Sequence, residues 1–175
     1  MAKLKTGNGG GKYKDPRAKF DVTNYIVDAE KTPHGYYGYF DNVKSQIMNE
    51  NLSQYVSDIV QTMDETSMQY GKTIGVQLRH YFISFAPEEL CDYGIANSIG
   101  YEISRILARE YQTVYAVHED TDHINIHFVM NAVSWKTGER YGGHKGEFYK
   151  LMETIRSVLR RYRIYRLEYI PRGRK

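Results

Sequence analysis

The chain has 175 residues, of which 41% are hydrophobic and 26% are charged, which is enough for one domain with a real core and too few to predict two. It contains no apolar run long enough to cross a membrane, and its first residues lack the apolar stretch of a signal peptide. Its single cysteine, Cys91, excludes an internal disulfide and fits a reducing cytoplasm.

The charge is concentrated at the two ends of the chain. Residues 1–19 hold six Lys or Arg and one Asp, and residues 156–175 hold eight Lys or Arg and one Glu, whereas the segment between them is acidic. Basic ends around an acidic body indicate a polyanion as partner, and nucleic acid is the commonest polyanion. The alternative is that the basic ends only aid solubility.

The first half of the chain predicts few regular elements. The first 16 residues are rich in Gly and Lys, so residues 1–19 are predicted to form a flexible basic arm and residues 20–175 a single domain. Residues 18–32 are compatible with a short helix or a strand, and the Gly- and Tyr-rich PHGYYGYFDN that follows is predicted to be a loop. A polar helix with one apolar face is predicted over residues 43–70.

The second half has clearer patterns. It predicts a strand over 74–85, a helix beginning at Pro87 with Ile95, Ile99, Ile103 and Ile106 as its buried stripe, strands over 113–118 and 123–135, and a helix over 146–162. The tail beyond is compatible with a short edge strand. Together these elements predict an α+β fold in which an antiparallel central sheet carries flanking helices.

The stretch HEDTDHINIHFVMNAV, residues 118–133, concentrates histidines and acids. Because residues two apart in a strand share a face, His123, Asn125 and His127 are expected on one side of the sheet. The EDTD turn is expected to bring His118 beside them. Converging neutral imidazoles predict a divalent metal or catalytic site, and the alternative is a hairpin with surface histidines.

The acids of this stretch have two interpretations. Asp120 or Asp122 can accept the outer N–H of a liganding histidine and so fix its tautomer. Alternatively, these aspartates only cap the turn, a position in which Asp is common.

HEDTDHINIHFVMN resembles the third motif of conjugative relaxases of the P-type mobilisation family (MobA/VirD-like), within the HUH endonuclease superfamily. NYIVDAEKT, residues 24–32, is similar to the first motif of that family, and HYFISFAPEE, residues 80–89, to the second. The resemblance implies the relaxase fold and a bacterial cytoplasmic enzyme. The implied activity is the metal-assisted nicking of one DNA strand at an origin of transfer, in the mobilisation of a plasmid or an integrative element.

The resemblance also implies roles for individual residues. Tyr25 would be the nucleophile that forms a 5′-phosphotyrosyl bond, although the tyrosines of the Gly-rich loop, Tyr36, Tyr37 and Tyr39, could also reach DNA. Asp122 occupies the place of the functional aspartate. The metal-ligand places fall on His118, Asn125 and His127, and His123 matches a further histidine of the motif. The expected ion is Mg²⁺ or Mn²⁺, because an amide oxygen suits such ions.

Asn125 departs from the family pattern, which has histidine there. Three interpretations are open: a site tuned to a harder ion, a site that recruits His123 instead, or an inactive copy of the enzyme.

The implied substrate is single-stranded or hairpin DNA at the origin, with accessory relaxosome proteins and a coupling protein as further partners. The residues that we expect to contact DNA are Lys12, Lys14, Arg17, Lys31, Thr32 and His80. For Lys31 and Thr32 the alternative is a solvated lysine and a turn threonine, and for His80 it is a core histidine.

Other functions compete with this interpretation. A rolling-circle replication initiator or a transposase of the HUH type would use nearly the same chemistry. A DNA-binding relative without catalytic activity would explain Asn125. A hydrolytic zinc enzyme is disfavoured because the chain has no HExxH motif and no Cys/His framework.

Overall fold

The computed structural model describes residues 1–7, 12–41 and 50–171. The strands are β1 Ala2–Thr6, β2 Tyr37–Phe40, β3 Leu78–Phe85, β4 Thr113–His118, β5 Ile124–Asn131 and β6 Leu167–Ile170. The helices are α1 Ala18–Ile26, α2 Leu52–Gln69, α3 Tyr93–Leu107 and α4 Lys145–Arg161, with a short 3-10 turn at Lys12–Lys14 before α1.

The strands form one sheet in the order β2-β4-β5-β3-β1-β6. Every pairing is antiparallel except that of β1 with β6, which is parallel. The predicted α+β fold with a central sheet and flanking helices is therefore confirmed, and the pairing of β6 makes the sheet mixed. The tail does supply an edge strand.

Each face of the sheet packs against a pair of helices. Alternate residues of β3 separate the two faces: Tyr81, Ile83 and Phe85 belong to the core beneath α3 and α4, whereas Leu78 belongs to the core beneath α1 and α2. His80 and Phe82 share the side of Leu78, because side chains two apart in a strand point the same way. On this face, His80 and Phe82 of β3 line a cavity together with residues of α1.

The N-terminal segment differs from the predicted flexible arm. Ala2–Thr6 forms β1, which pairs with β3 on one side and with β6 on the other. Ala2 and Leu4 are fully buried while Lys3 is exposed. The alternation of apolar and basic residues is therefore that of a strand with one buried face, and the lysines that suggested an arm lie on its other side.

Two further predicted boundaries are wrong. Tyr37–Phe40, expected in a loop, forms the edge strand β2 and pairs with β4. The helix α3 begins after Asp92 rather than at Pro87, because the Asp92 carboxylate accepts a hydrogen bond of 2.8 Å from the backbone N–H of Ile95 and caps the helix there.

The helices α2 and α3 are otherwise close to their predictions. The buried stripe of α3 keeps Ile99 and Ile103 but leaves Ile95 exposed. Asn51 caps α2 by accepting from the backbone N–H of Gln54 at 3.0 Å. The predicted start of this helix, residues 43–49, lies outside the described residues. No helix in the described part of the chain is long and apolar enough to span a membrane.

Candidate active site

The β4–β5 hairpin and the neighbouring β3 bring three histidines together on the α1 side of the sheet. His127 lies on β5, directly opposite Phe82 of β3 and Ala116 of β4. His118, the last residue of β4, lies opposite Asn125. His80 lies on β3, one diagonal step from His127. Since β5 is between the other two strands, His127 is the centre of the cluster.

The three imidazoles are in contact. The rings of His118 and His127 stack with 4.0 Å between their centroids. His80 Nε2 and His127 Nδ1 are 2.9 Å apart, which is a hydrogen bond. The ring of Phe82 stacks on His127 from the opposite strand, at 4.9 Å and an interplanar angle of 11°. The predicted convergence of His118 and His127 is present, and His80 joins them.

Tyr25 lies beside this cluster, near the C-terminal end of α1. Its ring meets the rings of His118 and His127 edge-on, with centroid distances of 5.6 and 6.1 Å. The side chain is 48% exposed, so its hydroxyl is accessible to a substrate rather than committed to the core. Tyr25 is therefore a half-exposed tyrosine that two imidazoles flank.

The helix that carries Tyr25 is held by a buried lysine. Lys19 is fully buried on α1, and its ammonium donates to the Asp64 carboxylate at 2.8 Å and to the Ser67 hydroxyl at 3.0 Å, both on α2. At the other end of α1, the backbone carbonyl of Ile26 accepts a 2.9 Å hydrogen bond from His118 Nε2. These contacts fix α1 relative to both α2 and the sheet.

Burial keeps the histidines neutral. Desolvation lowers the pKa of His80 to about 4, lowers the pKa of His127 well below its usual range, and lowers the pKa of His118 in spite of the Ile26 contact. A neutral imidazole retains one nitrogen lone pair, the form that binds a metal ion. Because a carbonyl can only accept, neutral His118 has its proton on Nε2 and its lone pair on Nδ1.

The cluster forms one wall of an open cavity of about 690 Å³. Tyr13, Asp21, Val22 and Tyr25 line it from the 3-10 turn and α1, and Asp120, Thr121 and Asn125 line it from the hairpin, together with the three histidines and Thr6, Gly7 and Phe82. The side chains therefore bring phenol hydroxyls, imidazoles, an amide and carboxylates into one space.

Lys31 and Asp120 form an ion pair beside the cavity. The Lys31 ammonium donates to the Asp120 carboxylate at 3.1 Å and lies over the ring of Tyr25, 5.3 Å from its centroid. The hydrogen bond with Asp120 raises the pKa of Lys31, so this residue is a positive charge close to Tyr25.

Two residues predicted for the site lie away from it. His123 is exposed, and its Nδ1 donates to the backbone carbonyl of Phe85 at 3.1 Å. Asp122 is exposed in the turn. Neither is among the described residues that line the cavity. Asp120 is the acid of this turn that lines the cavity.

Asn125 faces the cavity with its amide partly committed. The amide nitrogen donates to the Thr121 hydroxyl and to the His123 carbonyl, both at 3.1 Å. These bonds orient the side chain and make its carbonyl oxygen the atom that can accept a ligand. In the described part of the chain, no three His, Cys, Asp or Glu side chains are arranged as a ready metal site.

The residues present nevertheless fit a divalent ion that accepts oxygen as well as nitrogen ligands. The available donors are the Nδ1 lone pair of His118, one nitrogen of His127 and the amide oxygen of Asn125. A mixed set of nitrogen and oxygen donors completed by water suits Mn²⁺ or Mg²⁺ better than ions that select thiolates.

Some of the residues predicted to contact DNA are exposed and others are buried. Lys14 and Arg17 are exposed, and Arg17 pairs at 3.8 Å with Asp21, which lines the cavity. Thr32 is buried and donates to the backbone carbonyl of Asp28 at 2.9 Å, a structural role that excludes direct DNA contact in this conformation. The side chain of Lys12 lies outside the described residues.

Sequence reasoning missed Tyr13 and underestimated His80. The Tyr13 hydroxyl is 3.1 Å from His80 Nδ1, but nothing in the Gly- and Lys-rich segment around it indicates this contact. His80 was expected to contact DNA or to be a core histidine; it is buried and also lines the cavity. Its bond to His127 depends on the register between β3 and β5, which periodicity cannot provide.

A family model described as "Relaxase: MobA/VirD2-like, nuclease domain" matches residues 34–164. This range includes His80 and the β4–β5 hairpin and begins after Tyr25. Two proteins called Protein rlx, from Staphylococcus aureus, are 36% identical over 81 residues and 32% identical over 80 residues, each match covering 46% of this chain.

The chain spans about a quarter of the length of these relatives. No solved structure matches it. The family match covers most of the chain and includes the histidine cluster, so the chain belongs to the MobA/VirD2-like relaxase nuclease family.

Proposed function

We propose that this chain nicks one strand of DNA at an origin of transfer, with Tyr25 as the nucleophile. The observation that carries the proposal is the position of Tyr25: its exposed ring lies against the buried rings of His118 and His127 in one cavity. The accessible hydroxyl, the neutral imidazoles and the nearby ammonium of Lys31 supply the groups that phosphoryl transfer from DNA to a tyrosine needs.

The proposed reaction is a transesterification. The Tyr25 oxygen attacks the scissile phosphorus, a bond from phosphorus to that oxygen forms, and the bond from phosphorus to the 3′ oxygen breaks. The phenol loses its proton and the 3′ oxygen gains one, so the products are a 5′-phosphotyrosyl protein and a free 3′-hydroxyl. One phosphate ester replaces another, so the step needs no ATP and is reversible.

His118, His127 and Asn125 would hold a divalent ion, Mn²⁺ or Mg²⁺. When bound there, such an ion would supply positive charge to a non-bridging phosphate oxygen and help to orient the phosphate for in-line attack. The buried imidazoles contribute by remaining neutral at physiological pH, so that their lone pairs are available.

Lys31 is placed to act on the same phosphate. Its ammonium lies over the Tyr25 ring and its side chain is 27% exposed, so a phosphate that enters the cavity can share the ammonium with Asp120. A positive charge there stabilises a phenolate and the additional negative charge on the phosphate. Lys14 and Arg17 would contact neighbouring phosphates of a single-stranded or hairpin substrate.

The test uses a 5′-labelled single-stranded oligonucleotide that carries the origin of transfer of the element encoding this chain. Incubation with Mn²⁺ should give a covalent complex that survives denaturing electrophoresis, together with a free labelled 5′ fragment. The Tyr25→Phe variant should bind the oligonucleotide as the unaltered chain does and give no covalent complex. Tyr149→Phe is the matched control, because Tyr149 is an exposed tyrosine on α4.

Three results would overturn the proposal or a part of it. An adduct formed by Tyr25→Phe would assign the nucleophile to another residue. A salt-sensitive complex with no cleavage would make the chain a non-catalytic DNA-binding relative, one of the interpretations that Asn125 leaves open. Cleavage of a replication origin but not of a transfer origin would indicate a rolling-circle initiator.

A further inference from the structure

We propose that His80 and Tyr13 form a hydrogen-bond relay that holds His127 in the tautomer protonated on Nδ1, with its Nε2 lone pair directed to the ion. This inference rests on the proposed function in so far as it assigns an ion to the cavity. It gives His80 and Tyr13 the role of positioning residues, which act through His127 rather than by touching the reacting atoms.

The relay consists of two consecutive hydrogen bonds. The Tyr13 hydroxyl is 3.1 Å from His80 Nδ1, and His80 Nε2 is 2.9 Å from His127 Nδ1. Both nitrogens of His80 are therefore engaged, one with each neighbour. While these bonds are intact, His80 has no nitrogen left to coordinate an ion.

Only two proton arrangements satisfy both hydrogen bonds of the relay when both imidazoles are neutral. In one, Tyr13 donates to His80, His80 donates to His127, and His127 is left with its proton on Nε2, where it blocks a ligand. In the other, His127 donates to His80, His80 donates to the Tyr13 oxygen, and His127 Nε2 keeps its lone pair. Only the second arrangement lets His127 bind a metal ion.

The structure holds His80 firmly in the place that the relay requires. Its side chain is buried, and its backbone carbonyl accepts a hydrogen bond of 2.8 Å from the Gly7 backbone N–H. A β-carbon on Gly7 would lie 2.1 Å from His80 Nδ1, so the bare backbone of Gly7 is packed directly against the ring. The ring cannot turn away without displacing β1.

The plane of His127 is fixed separately. Phe82 and His118 stack on it from the strands on either side, at centroid distances of 4.9 and 4.0 Å. Stacking sets the direction of the ring but leaves its tautomer open, because both tautomers have the same shape. The hydrogen bond to His80 couples the tautomer of His127 to the proton arrangement of the relay, and the proposed ion requires the second arrangement.

The tautomer is measurable without metal or DNA. Long-range ¹H–¹⁵N NMR on the metal-free protein at pH 7.5 should show His127 Nδ1 as a protonated nitrogen and Nε2 as an unprotonated one. Addition of Mg²⁺ should then shift Nε2 of His127 and leave both nitrogens of His80 little changed. A proton on Nε2 of His127 in the metal-free protein overturns the relay, and a coordination shift at His80 makes that residue a ligand instead.

Calorimetric titration with Mn²⁺ tests the consequence for binding. His80→Leu removes the acceptor and should weaken binding about 10- to 100-fold, the usual effect of losing the partner of a liganding histidine. His80→Gln retains an acceptor oxygen and should stay within about threefold of the unaltered chain. Tyr13→Phe should weaken binding about threefold to tenfold, because His80 loses its own acceptor.

Tyr70→Phe is the control for the loss of a tyrosine hydroxyl. Its hydroxyl donates to the backbone carbonyl of Trp135 at 2.9 Å, away from the cavity, and its removal should leave Mn²⁺ binding unchanged. If His80→Leu binds Mn²⁺ as tightly as the unaltered chain, the relay is overturned. If the unaltered chain binds no Mn²⁺, the proposed metal function fails, whereas the NMR measurement still decides the tautomer.

Discussion

Tyr25 and His118 are joined through both side chain and backbone. Their rings meet edge-on at 5.6 Å, and His118 Nε2 donates to the carbonyl of Ile26, the residue after Tyr25. The proposed nucleophile and a proposed metal ligand are therefore positioned by each other, although 92 residues separate His118 from Ile26. These two contacts of His118 hold the last turn of α1 against the sheet without an ion.

Asn125→His should tighten Mn²⁺ binding about tenfold, because it would add an imidazole donor directly opposite His118. Calorimetry at pH 7.5 measures the change. Asn125→Ala should weaken binding, since it removes the amide oxygen without replacing it. If neither substitution alters the affinity, position 125 is not at the ion.

The stability of the protein should fall as the pH is lowered from 6.5 to 4. Burial lowers the pKa of His80 from 6.5 to about 4, so in this window the unfolded chain binds a proton that the folded chain does not, and unfolding becomes easier. The contribution of His80 is fully present above pH 6.5 and amounts to roughly 3 kcal/mol. His118 and His127 act in the same direction.

Urea denaturation at several pH values measures this effect. The difference between the unaltered chain and His80→Gln isolates the contribution of His80 from those of the carboxylates, which titrate in both proteins. The difference should shrink as the pH falls from 6.5 to 4. A difference that is constant over this range would mean that His80 titrates normally in the folded protein.

The ion pair between the buried Lys19 of α1 and the half-exposed Asp64 of α2 should respond unequally to the loss of its two partners. Asp64→Asn leaves the fully buried ammonium of Lys19 without its counter-charge and should cost about 3 kcal/mol of unfolding free energy. Lys19→Met removes the buried charge, retains the packing and leaves Asp64, which is 46% exposed, to water. Its effect should be close to zero or stabilising.

A double-mutant cycle in urea checks the pair. In the Lys19→Met background, Asp64→Asn should be nearly neutral. If Asp64→Asn costs the same in both backgrounds, the ion pair does not account for the effect.

Gly100 and Gly146 should show opposite effects when replaced by Ala. A β-carbon on Gly100 of α3 would lie 2.5 Å from Tyr115 Cδ2 and 3.1 Å from Ile126 Cγ2, so the helix must move away from the sheet at a cost of about 1–3 kcal/mol. A β-carbon on Gly146 of α4 meets nothing within 4 Å. Gly146→Ala should stabilise by about 0.5 kcal/mol through helix propensity. Thermal unfolding of both variants gives the comparison.

The sequence predicted the β4–β5 hairpin and the meeting of His118 with His127, because strand periodicity and a four-residue turn determine both. It could not place His123, which precedes β5 and bonds to Phe85 instead of joining its predicted face. It also could not place His80, because the diagonal contact with His127 depends on pairing between strands far apart in sequence.

The N-terminal strand β1 was not predicted from the sequence for a different reason. Ala2 and Leu4 alternate with lysines, a signal for a half-buried strand, but five residues are too few to outweigh the basic, Gly-rich segment that follows. The helix start at Pro87 failed for a local reason: the Asp92 side chain offers a better cap five residues later.

The position of β1 between β3 and β6 has a consequence for the order of folding. One neighbour of β1 is β3, in the middle of this sequence, and the other is β6, in residues 167–170. Such distant pairings form slowly, because the entropy cost of closing a long loop comes before any stabilising contact is made. Gly7, which follows β1 directly, is packed against His80, so completion of the proposed site should be among the last events of folding.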